Sequence, residues 1–134
     1  MNEICSKREE KIMSWDTSER RKFVRVRFPC EIALDTMGNN VIFAHTENIS
    51  AGGIRVILKK RIEPAAILSL TLHKIAVQPI LCKGRVMWVF TRKHDSDKEI
   101  SLFDIGIEFH EISEDDIWRI KSFILTVISK RENK

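Results

Sequence analysis

Two short stretches carry residue types suited to recognising an anionic small molecule. Glu19-Arg20-Arg21-Lys22-Phe23-Val24-Arg25-Val26-Arg27 crowds five cationic side chains into positions 20–27. Asn48-Ile49-Ser50-Ala51-Gly52-Gly53 sets an amide, a hydroxyl and two glycines between apolar runs. Guanidinium groups present planar, paired donors that suit phosphate oxygens and the O6/N7 edge of guanine. Asn and Ser supply short polar groups able to read a base edge, and glycine lets backbone approach a ligand closely. Together the two stretches are compatible with a pocket for an anionic, guanine-bearing small molecule. The plainer alternatives are a solvated basic face and an ordinary Asn-Ser-Gly turn.

The same residues carry a family resemblance. Arg21-Lys22-Phe23-Val24-Arg25 fits the RxxxR motif of PilZ domains, and Asn48-Ile49-Ser50-Ala51-Gly52-Gly53 fits their D/N-x-S-x-x-G motif. Between them lie residues 26–47, 22 positions, within the family's usual gap. Further on, Gly84-Arg85-Val86-Met87-Trp88 and Ile105-Gly106-Ile107-Glu108-Phe109 look like the family's later strands. RxxxR alone says little in so basic a chain; two motifs in order, correctly spaced, with matching strands, say much more. The resemblance covers roughly residues 19–130 and implies a bacterial receptor for the second messenger cyclic di-GMP. It assigns Arg21 and Arg25 to phosphates and guanine edges, and Asn48 and Ser50 to guanine from the barrel surface. Gly53 is assigned to the turn. Arg20, just before the motif, implies an intercalated pair of ligands rather than one, because a stacked dimer carries four charges and needs another cation.

Bulk properties bound the remaining choices. A chain of 134 residues with 43% hydrophobic and 31% charged content is sized and composed for one globular domain. The net charge of +4 favours an anionic partner without choosing among nucleotide, nucleic acid and membrane surface. Cys5, Cys30 and Cys82 are odd in number and form no CxxC pair, which argues against a disulfide framework and a zinc site. His45, His73, His94 and His110 have no ligand spacing, so neither a metal nor a cofactor is expected. No run approaches the roughly 20 apolar residues of a membrane span. Residues 1–13 lack the apolar core of a signal peptide. The expectation is a cytoplasmic protein with reduced thiols and no membrane insertion.

Periodicity places these residues on elements. Residues 1–18 read as a flexible extension, with Trp15 poised to dock on the domain or a partner, and 19–131 as the folded domain. From Phe23 to Asp35, Phe28, Cys30, Ile32 and Leu34 share a strand face, with Pro29 marking an edge or a bulge. A turn at 36–40 returns the chain as a strand from Val41 to about Thr46, before the Asn48–Gly53 loop. Strands follow over Ile54–Leu58, up to His73, over Ala76–Thr91 with a bend at Lys83-Gly84, and over Leu102–His110. Val86, Trp88 and Phe90 alternate to one side, which makes Trp88 a core residue. Ser113 with Asp116 resembles a capping box, and Ile117, Ile120, Ile124 and Val127 form a helical stripe. The expected fold is mainly β: a six-stranded antiparallel β-barrel with a C-terminal α-helix, in agreement with the PilZ resemblance.

Three rival readings stand beside the receptor. A single-stranded nucleic-acid-binding barrel would carry exposed aromatics for stacking, whereas this chain has no Tyr and its Phe and Trp residues mostly fit core alternation; DNA is not the expected partner. A PilZ-like adaptor acting only through protein contacts is the second. An enzyme finds no support, since no P-loop, HExxH or nucleophile elbow is present and Asp104 and Glu108 read as solvent-facing alternation. Arg27, Arg55, Lys59, Lys60 and Arg61 read as solvated charges. The receptor reading adds a mechanism: residues 18–25 order over the nucleotide and signal to a downstream protein partner. The sequence leaves oligomeric state and output open, with motility, surface polysaccharide and virulence suggested by the resemblance.

Overall fold

Alternating apolar residues close the sheet on itself. The computed structural model describes residues 24–36, 40–92 and 101–132. Its strands are β1 (Glu31–Asp35), β2 (Val41–Ser50), β3 (Gly53–Leu58), β4 (Ile67–Leu72), β5 (Ile80–Arg92) and β6 (Leu102–Glu111), followed by helix α1 (Glu114–Glu132). Every pairing is antiparallel, and the ring runs β1-β2-β3-β6-β5-β4, with β4 returning to β1. Closure leaves no unpaired sheet edge. Every second residue turns inward: Ile32 and Leu34, Ile54, Val56 and Leu58, Leu68, Leu70 and Leu72 are buried and fill the interior. The mainly-β barrel with a trailing helix is therefore the fold.

Three strand boundaries differ from expectation, each for a local reason. β1 starts at Glu31 rather than Phe23, because Pro29 has no N–H to give the ladder. Thr46 closes the gap: its hydroxyl donates to the Phe28 carbonyl at 2.6 Å and accepts from the Cys30 N–H at 3.0 Å. Upstream, Val26 alone rejoins the sheet, exchanging two 3.0 Å hydrogen bonds with Ile49. β2 continues through Ser50, so Asn48 and Ser50 are strand residues rather than loop residues. β5 begins only at Ile80, directly after Pro79, and carries two irregularities, at Lys83/Gly84 and at Val86/Trp88. The bend at Lys83-Gly84 matches expectation. The bulge at Met87 does not, and it redirects Trp88.

The helix follows its sequence signals. The Asp116 N–H donates to the Ser113 hydroxyl at 3.1 Å, three acidic residues occupy the first turn, and Lys130 and Arg131 the last. Ile120, Ile124 and Val127 are buried, with Ile117 only half-buried. Phe123 meets Phe28 edge-to-face, ring centroids 5.0 Å apart, and Arg131 donates to the Arg27 carbonyl. These contacts fix the helix against the segment that enters the barrel. No helix among the described residues is long and apolar enough to cross a membrane. The N-terminal extension 1–18 with Trp15, the central turn residues 37–39 and the hydrophilic turn at 94–99 lie outside the described residues.

Candidate ligand-binding cleft

Strands β2, β3, β6 and β5 lie side by side, and their registers define rows of residues across the barrel wall. One inward row is Ile49, Ile54, Ile107 and Val86, all buried. On either side of it lies an outward row. The first is Ser50, Gly53, Glu108 and Arg85; the second is Asn48, Arg55, Gly106 and Trp88. The outward rows hold both residues of the polar motif that precede its final glycine, two glycines and a Trp. That is the raw material of a concave site on the outside of the barrel.

A cleft of about 450 Å³ opens there, lined in part by Arg25, Ser50, Gly53, Trp88, Gly106 and Glu108. Its size lies within the usual range of small-molecule sites. Ile112, just before α1, and Ile117, in its first turns, add apolar surface to the lining. Two glycines in its lining let neighbouring groups pack closely around it. A Cβ on Gly53 would sit 2.2 Å from the Ile107 carbonyl oxygen, and one on Gly106 would sit 2.2 Å from the Trp88 indole. Gly53 does not have a positive φ. It is required for close strand approach rather than for the turn that the motif suggested.

Arg25 reaches this cleft because of its neighbour. Val26 is buried and hydrogen-bonded on both sides to Ile49, one residue before Ser50. The bridge pins the end of the basic segment to the start of the polar hairpin, and Arg25 stays exposed at the cleft. Val26 is thus a positioning residue that the motif pattern did not reveal; its apolar type between two arginines was the available signal. Ser50 is buried, and its hydroxyl accepts from the Gly52 and Gly53 N–H groups at 3.1 and 3.2 Å. It also donates to the Gly53 carbonyl at 3.4 Å. The hydroxyl holds the two-residue turn Ala51-Gly52 in shape, while the Phe109 N–H fastens the turn to β6 through the Gly52 carbonyl at 2.9 Å.

Not every sequence candidate meets at the cleft. Arg25, Ser50 and Gly53 come together there. Asn48 is half-buried beside Arg55 in the second outward row and does not line the cleft. Arg20 and Arg21 lie outside the described residues. Trp88, expected in the core, is instead half-buried over Gly106 and lines the cleft. The bulge at Met87 breaks the alternation that would have carried it inward. Its indole packs against Phe90, ring centroids 5.2 Å apart and planes tilted by 31°. This aromatic pair on the barrel surface is a flat platform of the kind a purine can stack on.

The electrostatics separate two carboxylates on β6. Asp104 accepts two hydrogen bonds from Arg55, at 2.7 Å from Nε and 2.6 Å from Nη2. That fork raises the Arg55 guanidinium pKa further above its ordinary value, chiefly through the hydrogen bonds. Arg55 and Asp104 are therefore a fixed brace between β3 and β6, and neither is the solvated charge that alternation implied. Glu108 is exposed in the cleft.

A closed six-stranded barrel with a capped C-terminal helix and an outer cleft beside Arg25 defines the class of domain. The PilZ domain family matches residues 19–126, and the chain belongs to that family. Solved structures share the fold. The inhibitor of motility MotI/DgrA from Bacillus subtilis is 22% identical, with a TM-score of 0.64 over 86% of this chain and 52% of its own. MrkH from K. pneumonia, in its c-di-GMP complex, is 21% identical, with a TM-score of 0.68 over 85% of this chain and 55% of its own. The PilZ domain of YcgR from Escherichia coli, solved with c-di-GMP, is 15% identical, with a TM-score of 0.64 over 86% of this chain and 99% of that domain. This chain spans about half the length of MotI and MrkH. No match was found among curated protein sequences.

Proposed function

We propose that this protein is a cyclic di-GMP receptor rather than an enzyme. One observation carries the reading: the Val26–Ile49 bridge delivers Arg25 of the RxxxR motif to the cleft shaped by the Ser50–Gly53 hairpin. Two motifs far apart in sequence thus serve one hollow. A cyclic dinucleotide needs cations for two phosphates, flat apolar surface for guanine and backbone that can come close; Arg25, Trp88 and the glycines supply these. Arg21 supplies a second phosphate or guanine contact in this reading. Asn48 extends the guanine contact along the barrel surface, and Ser50 acts by shaping the turn. Similar folds solved with c-di-GMP support the assignment.

Binding closes residues 18–25 over the nucleotide and so presents a changed surface to a downstream protein partner in the bacterial cytoplasm. Hydrogen exchange of that segment should slow on adding ligand; equal exchange with and without it would remove this step. Arg20 adds the cation that a stacked ligand pair requires, so about two ligands per chain are expected, falling to about one in Arg20→Ala. The primary test is isothermal titration of cyclic di-GMP into wild type, Arg25→Ala and Arg21→Ala, with GTP as control. Either substitution should weaken binding roughly ten-fold or more, by analogy with bidentate guanine contacts of ~1–3 kcal/mol. Ser50's internally used hydroxyl and the placement of Asn48 outside the cleft favour one other reading, a protein adaptor. Absence of binding heat in wild type would select it.

A further inference from the structure

Among the described residues Glu108 is the one carboxylate lining the cleft, and it is unaccounted for. It is exposed, and among the described residues its side chain has no hydrogen-bond or ion-pair partner. Asp104, four residues earlier on the same outward face of β6, is by contrast fully engaged by Arg55. The register holds Glu108 beside Gly53 on one strand and Arg85 on the other, in the outward row next to Gly106 and Trp88. A carboxylate in a hollow built for a dianion is repelled by the phosphates, so it fits the site only if it faces a base.

Base chemistry then decides which base. A carboxylate offers two acceptor oxygens and no donor. Guanine's Watson–Crick edge offers two adjacent donors, N1–H and the 2-amino group, which a carboxylate can take together as a charge-assisted pair. Adenine places an acceptor at N1, which would face a carboxylate oxygen with no proton between them. Arg25 is suited to the phosphates or to the guanine O6/N7 edge, leaving the opposite edge for Glu108. Resting on the receptor reading above, we propose that Glu108 is the residue that makes the cleft select guanine over adenine, by accepting hydrogen bonds from N1–H and the 2-amino group. Selectivity arises from attraction to one base and an unpaired acceptor against the other.

The test is calorimetric titration of wild type, Glu108→Ala and Glu108→Gln with cyclic di-GMP, cyclic di-AMP and cyclic di-IMP, the last lacking only the 2-amino group. Melting curves confirm that each variant folds, as expected for an exposed side chain. Wild type should bind cyclic di-GMP about ten-fold or more tightly than cyclic di-IMP, and more tightly still than cyclic di-AMP. Glu108→Ala should erase the difference between cyclic di-GMP and cyclic di-IMP, and Glu108→Gln should shrink it. A variant that keeps the wild-type ratios, whether or not its overall affinity falls, overturns the assignment. Wild type that binds none of the three ligands refutes the receptor reading itself, and the guanine assignment falls with it. Wild type that binds cyclic di-GMP while the ratios ignore Glu108 refutes only the latter.

Discussion

Two neighbouring rows of the barrel wall use the same four strands for opposite purposes. Ile49, Ile54, Ile107 and Val86 point inward and are buried; Ser50, Gly53, Glu108 and Arg85 lie one step along each strand and face outward, and the first three of them line the cleft. Because side chains alternate with a period of two, a shift of one residue exchanges core for surface. The inward row is uniform in chemistry and exact in volume. The outward rows hold two positions with no room for a Cβ, Gly53 against the Ile107 carbonyl and, one row over, Gly106 under the Trp88 indole. A binding face on a small barrel is thus built on close approach over a core that cannot spare anything.

The sharpest way to separate the rows is to cut each. Ile49→Ala should destabilise the domain by about 2–5 kcal/mol, the cost of a large-to-small change at a buried site. Chemical denaturation measures this. Protein that remains folded should keep its affinity for cyclic di-GMP, since the Ile49 side chain supports the wall from inside while its backbone bonds to Val26 remain. If binding per folded molecule collapses while stability holds, the inward row is part of the site and the contrast fails.

Adding a methyl at each glycine sharpens the comparison further. Gly53→Ala drives a methyl against the Ile107 carbonyl, which is backbone and cannot yield, so a loss of about 1–3 kcal/mol is expected. Gly106→Ala meets a side chain instead, the Trp88 indole, which can swing away. Its stability cost should be below about 1 kcal/mol, but the displaced indole should alter tryptophan fluorescence and weaken nucleotide binding. Equal stability losses for the two glycines would show that Trp88 is held as rigidly as backbone.

Thr46 tests whether the core row tolerates polarity only under duress. Thr46 and Ser50 are the two buried polar side chains among the described residues; the Thr46 hydroxyl serves the backbone just before β1, and the Ser50 hydroxyl serves the hairpin turn. Thr46→Val keeps the shape but leaves the Cys30 N–H and the Phe28 carbonyl only their mutual 3.1 Å hydrogen bond, at a cost of about 0.5–1.5 kcal/mol. Thr46→Ser should recover most of it. A neutral Thr46→Val would mean that water takes over the hydroxyl's role.

The sequence reading and the structure part company at identifiable residues. Leu68, Leu70 and Leu72 alternate without interruption, and the barrel could be counted from such runs. Ser113 and the Ile120–Val127 stripe announced the helix, and the spacing of the two motifs announced the meeting of Arg25 with the hairpin. Trp88 was misplaced because counting by two fails across a bulge, and nothing local to Met87 marks one. The Arg55–Asp104 fork joins residues 49 apart in sequence, so neither strand alone could show it. Ser50 resembled a ligand contact because a turn-forming hydroxyl and a base-reading hydroxyl are the same group until its partners are known.

The smallest expected effect, up to about pH 9, concerns the two thiols that line the core. Cys30 and Cys82 are buried and free, and burial pushes their pKa values up to about 11 and about 12; at Cys30 the Thr46 hydrogen bond offsets part of the rise, and at Cys82 the charge of Asp116 adds to it. A raised folded-state pKa means that the folded chain holds its proton more tightly than the unfolded one. The resulting stability is complete below the unfolded thiol pKa of roughly 8.5–9 and declines as pH rises through the folded values. With those values the loss is a few tenths of a kcal/mol per thiol by about pH 9 and on the order of 1 kcal/mol by about pH 10. Denaturation midpoints at pH 8, 9 and 10 should therefore fall in wild type and fall less in Cys30→Ala and Cys82→Ala, each compared with its own value at pH 8. The cleft should be indifferent: cyclic di-GMP affinity should not track these thiols over the same range. A parallel loss of affinity would mean that the core row communicates with the outer face, and that the division between them is one of position but not of energy.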